Sequence, residues 1–354
     1  MMTSLTPLVT GGVDAHTDTH HAAVLDGQGR LLGTKAFATT ARGYRELADW
    51  LEGHGEVVRV GVESTGSYAA ALVRTLATRG IPIVEVNQPH PHARARRGKS
   101  DPLDAELAAR AALAGTATAT PKTTTGVVEA IRQLVVARDG AMKARTAALG
   151  QIEDLVLTAP VELRERLACR RTLRGKATLC AKLQPDLARI AHPREALKLA
   201  LRGLAQRVMA LEVEIAALDT QLQALVAAAA PRTTSLLGVS TGHASQLLVS
   251  AGQNIERLRS EAAFAKLCAA APKPASSGRT TRHRLDTGGD RQANRTLHLI
   301  AVCRLRYCER TRAYAVRRTA EGLSKREIIR CLKRYIAREV YATLRDDLRS
   351  LSIP

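Results

Sequence analysis

Along residues 1–120, short apolar runs bounded by turn residues alternate with segments whose apolar residues recur at helical spacing. A short apolar run predicts a strand, and helical spacing predicts an amphipathic helix. The pattern predicts strands at 8–14, 21–26, 31–39, 57–63 and 81–86, and helices at 44–51, at 67–79 and from Asp101 onward. The Asp-Gly-Gln-Gly turn that starts at Asp26 predicts a hairpin between the second and third strands.

The predicted order of these elements is β-β-β-α-β-α-β-α. Three antiparallel strands followed by strand–helix alternation are typical of the ribonuclease-H-like fold. We therefore predict an α/β N-terminal domain of this fold over residues 1–120, and a mainly helical remainder, because the strand signal ends there. A chain of 354 residues is long enough for two or three domains.

Residues 121–231 carry a heptad pattern that is typical of a coiled coil. Apolar residues alternate spacings of four and three in the second half of this segment: Leu197, Leu201, Leu204, Val208, Leu211, Ile215, Leu218, Leu222 and Leu225. The stretch from Val128 to Val156 follows the same alternation, interrupted by Arg138 and Arg145. About four heptads in register predict a coiled-coil seam. The seam is either a dimerisation arm or the inside of an antiparallel helical hairpin within one chain.

Residues 232–354 form a third segment, helical and basic, with a polar Gly-rich interruption at 274–294. The whole chain has 53 Lys and Arg residues against 33 Asp and Glu residues, a net charge of +20. Residues 279–350 hold 19 of those cations and only 8 of those anions. This excess indicates a polyanionic partner, and nucleic acid is the first candidate. A generic basic composition from a GC-rich genome is the alternative.

Composition argues against several other classes of protein. Apolar residues make up 45% of the chain, which is enough for a core and too many for a disordered tail. No apolar run reaches the roughly 18 residues that span a bilayer, and we expect neither a membrane partner nor a secretory signal. The six Cys residues are scattered and form no zinc pattern, so we expect reduced thiols in a cytoplasmic protein.

Four carboxylates are placed for metal chemistry. Asp14 ends the first predicted strand, Glu63 ends the fourth, and Asp101 and Asp104 open a helix three residues apart. Strand ends gather at one edge of a sheet, and carboxylates that converge there need cations between them. Oxygen ligands suit Mg²⁺ or Mn²⁺, and a two-metal site supports phosphoryl transfer. The alternative explanation of Asp101, which precedes Pro102, is a helix N-cap.

Other polar side chains lie near these carboxylates in sequence. Five of them are histidines: His16, His20, His21, His90 and His92. Their spacing fits no metal motif, so we interpret them as exposed loop residues. Four cations precede the third carboxylate and are interpreted as phosphate contacts: Arg94, Arg96, Arg97 and Lys99.

A hydroxyl-rich loop at residues 272–280 lies in the basic third segment. A nucleophilic serine needs an exposed hydroxyl and cations that hold the attacked phosphate. Three arginines follow Ser277 and are candidates for that role: Arg279, Arg282 and Arg284. From the spacing alone, an ordinary turn is the simpler explanation of this loop.

Taken together, these motifs resemble the DEDD transposases of insertion-sequence family 110. The resemblance rests on Asp14, on the Glu-Ser-Thr-Gly-Ser-Tyr motif from Glu63 and on the Lys-Ser-Asp-Pro-Leu-Asp-Ala motif from Lys99. The Ser-Gly pair at Ser277 follows downstream in the same order. The resemblance spans nearly the whole chain and includes a coiled coil between two domains.

The resemblance implies a role for each matching residue. It implies a RuvC-like site that holds a divalent metal, Mg²⁺ or Mn²⁺, with four ligands: Asp14, Glu63, Asp101 and Asp104. It implies that Ser277, which precedes the glycine, is the nucleophile in preference to Ser276. Of the family's Leu-Arg-Arg helix start, only Arg295 is retained, as a nucleic-acid contact.

The resemblance also implies an activity and partners. Members of this family are DNA recombinases that excise and insert their own element, and their serine holds cleaved DNA as a phosphoserine. A non-coding bridge RNA pairs with the donor and target double-stranded DNA. The proteins assemble as dimers of dimers, with the acidic domain of one protomer meeting the serine domain of another. We expect a bacterial cytoplasmic protein associated with the nucleoid.

Two other functions fit some of the same residues. A RuvC-like metal-dependent nuclease or resolvase would use the carboxylates but would have no need of Ser277. A non-catalytic nucleic-acid-binding protein would use the coiled coil as an assembly arm and would tolerate loss of all these residues. In each case the predicted domains are residues 1–120, 121–231 and 232–354.

Overall fold

The computed structural model describes residues 6–86, 100–278, 283–284 and 286–351. The chain divides into two compact units. The first comprises Met1–Gly126 with Ala251–Ala263, and the second comprises Val127–Ser250 with Phe264–Pro354. The division into three functional domains at residues 120 and 231 stays a prediction.

The first unit is built on a five-stranded sheet. Its strands are β1 (Leu8–Ala15), β2 (Thr19–Asp26), β3 (Leu31–Ala38), β4 (Glu56–Val62) and β5 (Ile83–Glu85). The order across the sheet is β3-β2-β1-β4-β5. Strands β1, β2 and β3 are antiparallel neighbours, whereas β1, β4 and β5 run parallel. The predicted α/β N-terminal domain that begins with three antiparallel strands is therefore confirmed.

Helices cover both faces of this sheet: α1 (Ala41–Glu52), α2 (Ala70–Thr78) and α3 (Asp101–Leu113). Helices α1 and α2 share one apolar core with β1, β2 and β4. A Cβ on Gly11 would meet Leu51 of α1, whereas a Cβ on Gly12 would meet α3 at Ala105. Successive strand residues point to opposite faces, so α1 and α3 lie on opposite sides of β1.

Two glycines let α3 approach the sheet closely. A Cβ on Gly12 would lie 2.2 Å from the carbonyl oxygen of Ala105 and 2.2 Å from the amide nitrogen of Ala109. A Cβ on Gly61 would lie 2.4 Å from the carbonyl oxygen of Ala108. Gly12 and Gly61 are partners in the parallel ladder of β1 and β4, so α3 lies over both strands. This contact fixes where the first turn of α3 stands.

The rest of the described chain is largely helical, as predicted. Its helices are α4 (Gly126–Leu157), α5 (Val161–Ala168), α6 (Leu173–Cys180), α7 (Pro193–Ala229), α8 (Pro231–Thr234), α9 (Thr241–Ala251), α10 (Glu261–Leu267), α11 (Arg291–Tyr307), α12 (Glu309–Ala320) and α13 (Lys325–Leu351). Short 3₁₀ turns occur at Leu187–Arg189 and Ile255–Arg257, and β6 (Lys273–Pro274) pairs with β7 (His283–Arg284). No helix in the described ranges is both long and apolar enough to cross a bilayer.

Helices α4 and α7 form an antiparallel hairpin within the chain. Ile152, late in α4, shares a core with Leu201 and Val208, early in α7, and α5 and α6 contribute to the same core. Arg138, early in α4, pairs with Asp219, late in α7. Of the two alternatives left by the heptad pattern, the internal hairpin is present. A pairing of this seam between copies of the chain stays a prediction.

The hairpin covers the seam of α7 only partly. Buried seam residues are spaced by seven: Leu201, Val208, Ile215 and Leu222. The intervening seam residues are half-buried: Leu197, Leu204, Leu211, Leu218 and Leu225. An antiparallel hairpin and a coiled coil both place apolar residues at this spacing, which explains why the pattern did not distinguish them.

A buried carboxylate joins α13 to the start of α8. Asp347 accepts hydrogen bonds from the amides of Arg232 and Thr233, at 3.1 and 2.8 Å, and from the Thr233 hydroxyl at 2.8 Å. The first amides of a helix have no partner within the helix. Asp347 therefore supplies from a distant helix the cap that α8 lacks locally.

Candidate functional site

Two of the predicted carboxylates lie where neighbouring parallel strands end. Asp14 is the penultimate residue of β1, and Glu63 directly follows β4. The Glu63 amide donates to the carbonyl oxygen of Val13 at 3.2 Å, which places the two strand ends side by side. Asp14 is two residues beyond Gly12, so its side chain projects to the face of the sheet that α3 covers.

The first turn of α3 supplies the other two predicted carboxylates. Asp101 and Asp104 stand one helical turn before Ala105 and Ala108, the two alanines that pack on the sheet glycines. Residues four apart share a helix face, so both carboxylates lie on or beside the face directed to the sheet. Asp104 is 1% exposed. The amides at this helix end also favour negative charge.

Histidines complete the surroundings of Asp101 and Asp14. The Nε2 atom of His16 lies 3.0 Å from Oδ2 of Asp14 and 3.4 Å from Oδ1 of Asp101. The Nε2 atom of His21 lies 3.5 Å from Oδ2 of Asp101. Asp101 therefore stands between two imidazoles, and His16 links it to Asp14.

The pKa of the Asp14 carboxyl reflects its burial and the charged groups around it. Burial raises the pKa of the Asp14 carboxyl above its ordinary value, and the neighbouring His16 opposes that rise. The negative charges of Asp104 and Asp101 raise the Asp14 pKa further. A carboxylate held among like charges is stabilised by a cation. The N-terminal unit therefore concentrates negative charge at one edge of its sheet.

The donor set at this edge fits a divalent cation. Asp14, His16 and Asp101 each offer one ligand atom, and these atoms lie within 4.8 Å of one another. Two carboxylate oxygens and an imidazole nitrogen are ordinary ligands of divalent metals. This group contains two of the four predicted carboxylates and adds His16, which the sequence analysis interpreted as an exposed loop residue and not as a ligand.

The structure corrects the prediction for two of the histidines. His16 is exposed as predicted. His20 lies in β2 and not in a loop, and His21, which begins the predicted second strand, is half-buried in β2 and not exposed. The His20 ring is fully buried and stacks on Tyr44 at 5.6 Å, and burial lowers its pKa. Strand β2 starts earlier than its apolar residues suggested, because the β1–β2 turn is tight, with the His16 amide bonded to the Thr19 carbonyl. His90 and His92 lie outside the described residues.

The capping explanation of Asp101 is wrong. The N-cap of α3 is Ser100, which has extended backbone angles, while Asp101 is already the first helical residue and Pro102 the second. The Asp101 side chain is directed to the two histidines and does not cap the helix. Proline is tolerated at either of the first two positions of a helix, so the Asp101-Pro102 pair alone does not show at which residue the helix begins.

The loop after Glu63 holds an unusual backbone conformation. Ser64 has a φ of +52°, in the left-handed region that non-glycine residues seldom occupy. The next residue, Thr65, is 2% exposed and donates its hydroxyl to Oε1 of Glu85 at 2.8 Å. Oε1 of Glu63 is itself buried. Strained residues of this kind persist where their surroundings fix them, and they cluster at functional sites.

Ser277 lies in the second unit, on the segment between β6 and β7. Ser277 and the adjacent Gly278 are exposed, and Gly278 has a φ of +53°. The base of this segment is anchored by Asp286, whose buried carboxylate is 2.6 Å from Nζ of Lys266 and 3.6 Å from Nζ of Lys273. The hydrogen bond from Lys266 is the main reason that the pKa of Asp286 is lowered.

The predicted nucleic-acid contacts are only partly described. Six of them lie outside the described residues: Arg94, Arg96, Arg97, Lys99, Arg279 and Arg282. Arg284 is exposed on β7, and Arg295 is exposed on α11. Both therefore stand where a phosphate backbone could reach them.

A basic groove in the second unit was not anticipated from the sequence. It has a volume of about 1070 Å³ and is lined mainly by residues of α12 and α13, among them Arg310, Arg317 and Arg338 with Tyr314 and Tyr335. The Arg317 guanidinium lies 5.5 Å from the centre of the Tyr314 ring. Arginines with aromatic rings suit phosphates and bases together. Aromatic residues make up only 3% of the chain, and composition alone does not show where these few rings lie.

Comparison with known families is consistent with this arrangement. Residues 11–159 match the family model for DEDD transposases of the IS110 type, and residues 230–315 match the model for transposases of the IS116/IS110/IS902 family. The search of curated proteins found no match. The chain is therefore a transposase, an enzyme class that binds and recombines DNA. It belongs to the IS110 family, as the sequence motifs indicated.

Proposed function

We propose that this transposase cleaves and rejoins DNA with an acidic metal site and a serine nucleophile. The acidic site comprises Asp14, Glu63, Asp101 and Asp104, and the nucleophile is Ser277. The observation that carries the proposal is the convergence of Asp14 and Asp101 at the end of β1, against the first turn of α3. The strand order β3-β2-β1-β4-β5 supports a RuvC-like fold for this domain.

In the proposed reaction, the Ser277 hydroxyl oxygen attacks the phosphorus of a DNA phosphodiester. A serine–phosphorus bond forms while the bond from phosphorus to one sugar oxygen breaks. The serine proton passes to a base, and the departing sugar oxygen takes up a proton. Attack by a sugar hydroxyl of another strand reverses these steps and frees the serine. A divalent ion at the acidic site would stabilise the negative charge on the sugar oxygen.

The basic surface would hold the nucleic acids during this exchange. Arg284 and Arg295 are exposed, and the groove between α12 and α13 adds arginines and tyrosines. By the family resemblance, the partners are the element ends, the target DNA and a bridge RNA. The same resemblance favours a dimer of dimers in which Ser277 acts with the acidic site of another protomer, and an association with the nucleoid.

Trapping of a covalent protein–DNA adduct tests the proposal. Full-length protein is mixed with RNA transcribed from the DNA that flanks the gene and with a nicked duplex that carries the element junction. Wild-type protein is expected to form an adduct that resists denaturation and maps to Ser277 by mass spectrometry. Ser277→Ala should abolish the adduct, while DNA binding stays within about twofold, because one hydroxyl adds little to a highly basic surface.

Matched variants separate the proposal from its rivals. Ser276→Ala alters the neighbouring hydroxyl and should leave the adduct intact. Asp101→Asn should abolish the adduct without unfolding the chain, because the Asp101 side chain is 43% exposed and does not cap α3. Nicking by Ser277→Ala protein without an adduct would identify a hydrolytic nuclease. An unchanged adduct in Ser277→Ala protein would refute the nucleophile assignment.

A further inference from the structure

His16 occupies a position that the four-carboxylate site does not account for. It lies one residue beyond β1, and its amide donates to the Thr19 carbonyl at 3.1 Å in the turn to β2. Thr39 supports the same turn, since its hydroxyl donates to the Thr17 carbonyl at 2.8 Å. The His16 side chain is therefore held at the end of β1, with Nε2 directed to Asp14 and Asp101.

The distances around His16 match those between ligands of a single metal ion. An octahedral ion with bonds of about 2.1 Å holds adjacent ligand atoms about 3 Å apart, and opposite ones about 4.2 Å apart. The Nε2 atom of His16 is 3.0 Å from Oδ2 of Asp14 and 3.4 Å from Oδ1 of Asp101. All three ligand atoms lie within 4.8 Å of one another. These separations are close to those that one ion contacting Asp14, His16 and Asp101 would require.

We infer that His16 is a nitrogen ligand of the divalent ion at the acidic site. The inference rests on the proposed acidic metal site and adds a ligand of different chemistry to it. Mg²⁺ keeps oxygen ligands and water, whereas imidazole suits first-row transition metals. With His16 as a ligand, the site binds Mn²⁺ more tightly than Mg²⁺, and His16 sets that preference.

His21 provides the matched control for this inference. Its Nε2 atom approaches only Asp101, at 3.5 Å, and its side chain is half as exposed as that of His16, at 23% against 45%. His21 lies within β2, one residue from the buried His20. Removal of His21 perturbs the same carboxylate without removing the imidazole that reaches both carboxylates.

The test uses full-length protein with Mn²⁺ alone and no nucleic acid. Pulsed electron paramagnetic resonance detects a nitrogen nucleus bound to Mn²⁺, and titration gives the affinities for Mn²⁺ and, by competition, for Mg²⁺. Wild-type protein is expected to show the nitrogen coupling. His16→Ala should lose the coupling and at least about tenfold in Mn²⁺ affinity, with a change in Mg²⁺ affinity below about threefold.

The control arms determine which claim fails. His21→Ala should keep the nitrogen coupling, and Asp14→Asn should lose Mn²⁺ binding altogether. Bound Mn²⁺ without nitrogen coupling in wild-type protein would overturn the role of His16 while the acidic site stood. Coupling that persisted in His16→Ala but vanished in His21→Ala would also overturn it. The DNA adduct experiment is independent of these results, so failure of the transposition chemistry would be seen separately.

Discussion

The contact between Gly12 and α3 supplies a sharp test of how the site is positioned. Gly12→Ala adds one methyl group between β1 and the helix that carries Asp101 and Asp104. The added Cβ would lie 2.2 Å from the carbonyl oxygen of Ala105, whereas ordinary contact begins near 3.4 Å. Helix α3 must therefore withdraw by about 1.2 Å, since the atoms that clash belong to its backbone and have no other rotamer.

The cost of this withdrawal follows from known overpacking effects. An extra methyl group in a well-packed core costs roughly 1–3 kcal/mol, and a backbone clash lies at the upper end of that range. A loss of about 3 kcal/mol lowers the urea midpoint by about 1.5 M, for a slope near 2 kcal/mol/M. The shift of α3 also carries Asp101 away from Asp14 and His16, so Mn²⁺ affinity should fall as well.

Fluorescence of Trp50 follows the urea unfolding of the first unit, because the second unit contains no tryptophan. Trp50 is the only tryptophan of the chain, and its ring lies 5.7 Å from that of Phe37, within the first unit. Gly27→Ala is the matched control, because its Cβ would meet nothing closer than 4.0 Å. A Gly12→Ala protein with the urea midpoint and the Mn²⁺ affinity of the control would refute the positioning role of the glycine.

Two further predictions concern buried carboxylates of the second unit. Asp347→Ala removes three hydrogen bonds and should lower the free energy of unfolding by about 3 kcal/mol, measured by urea unfolding followed by circular dichroism. Asp346→Ala, on the exposed side of α13, should lower it by less than about 0.5 kcal/mol. Equal losses would contradict the capping role. Lys266 lowers the pKa of Asp286 below its ordinary value of 3.8. This ion pair therefore stabilises the fold above pH 3.8, and its contribution is lost as the pH falls through the lower pKa of the folded state. Asp286→Asn should therefore unfold at lower urea than wild type at pH 7, and the difference should shrink below pH 3.8; a difference independent of pH would contradict the assignment.

Local patterns predicted most of the first unit. Apolar runs gave all five strands to within a few residues, and the Asp26 turn gave the β2–β3 hairpin. The placement of Asp14 and Glu63 at the ends of neighbouring strands followed from these runs, because parallel strands end at one edge. The signal was strongest for β1 and β2, most of whose residues are buried, whereas β3 is mostly exposed.

The features that the sequence did not reveal depend on long-range contacts. His16 reaches Asp101 only because α3 returns over β1, and spacing along the chain carries no record of that return. A usable signal was present in Gly12 and Gly61, each two residues before a carboxylate, where a missing side chain marks a close approach. The heptads could not distinguish a hairpin from a dimer, because both bury the same stripe.

The opposite charges of the chain bear on the cation proposed at the acidic edge. In the proposed function, the net charge of +20 attracts nucleic acid, and the exposed Arg284 and Arg295 hold its phosphates. The edge formed by Asp14, Asp101 and Asp104 repels those same phosphates, and burial of Asp14 increases the cost of its charge. In the proposed reaction, a divalent ion at this edge would offset part of the repulsion and let DNA approach it.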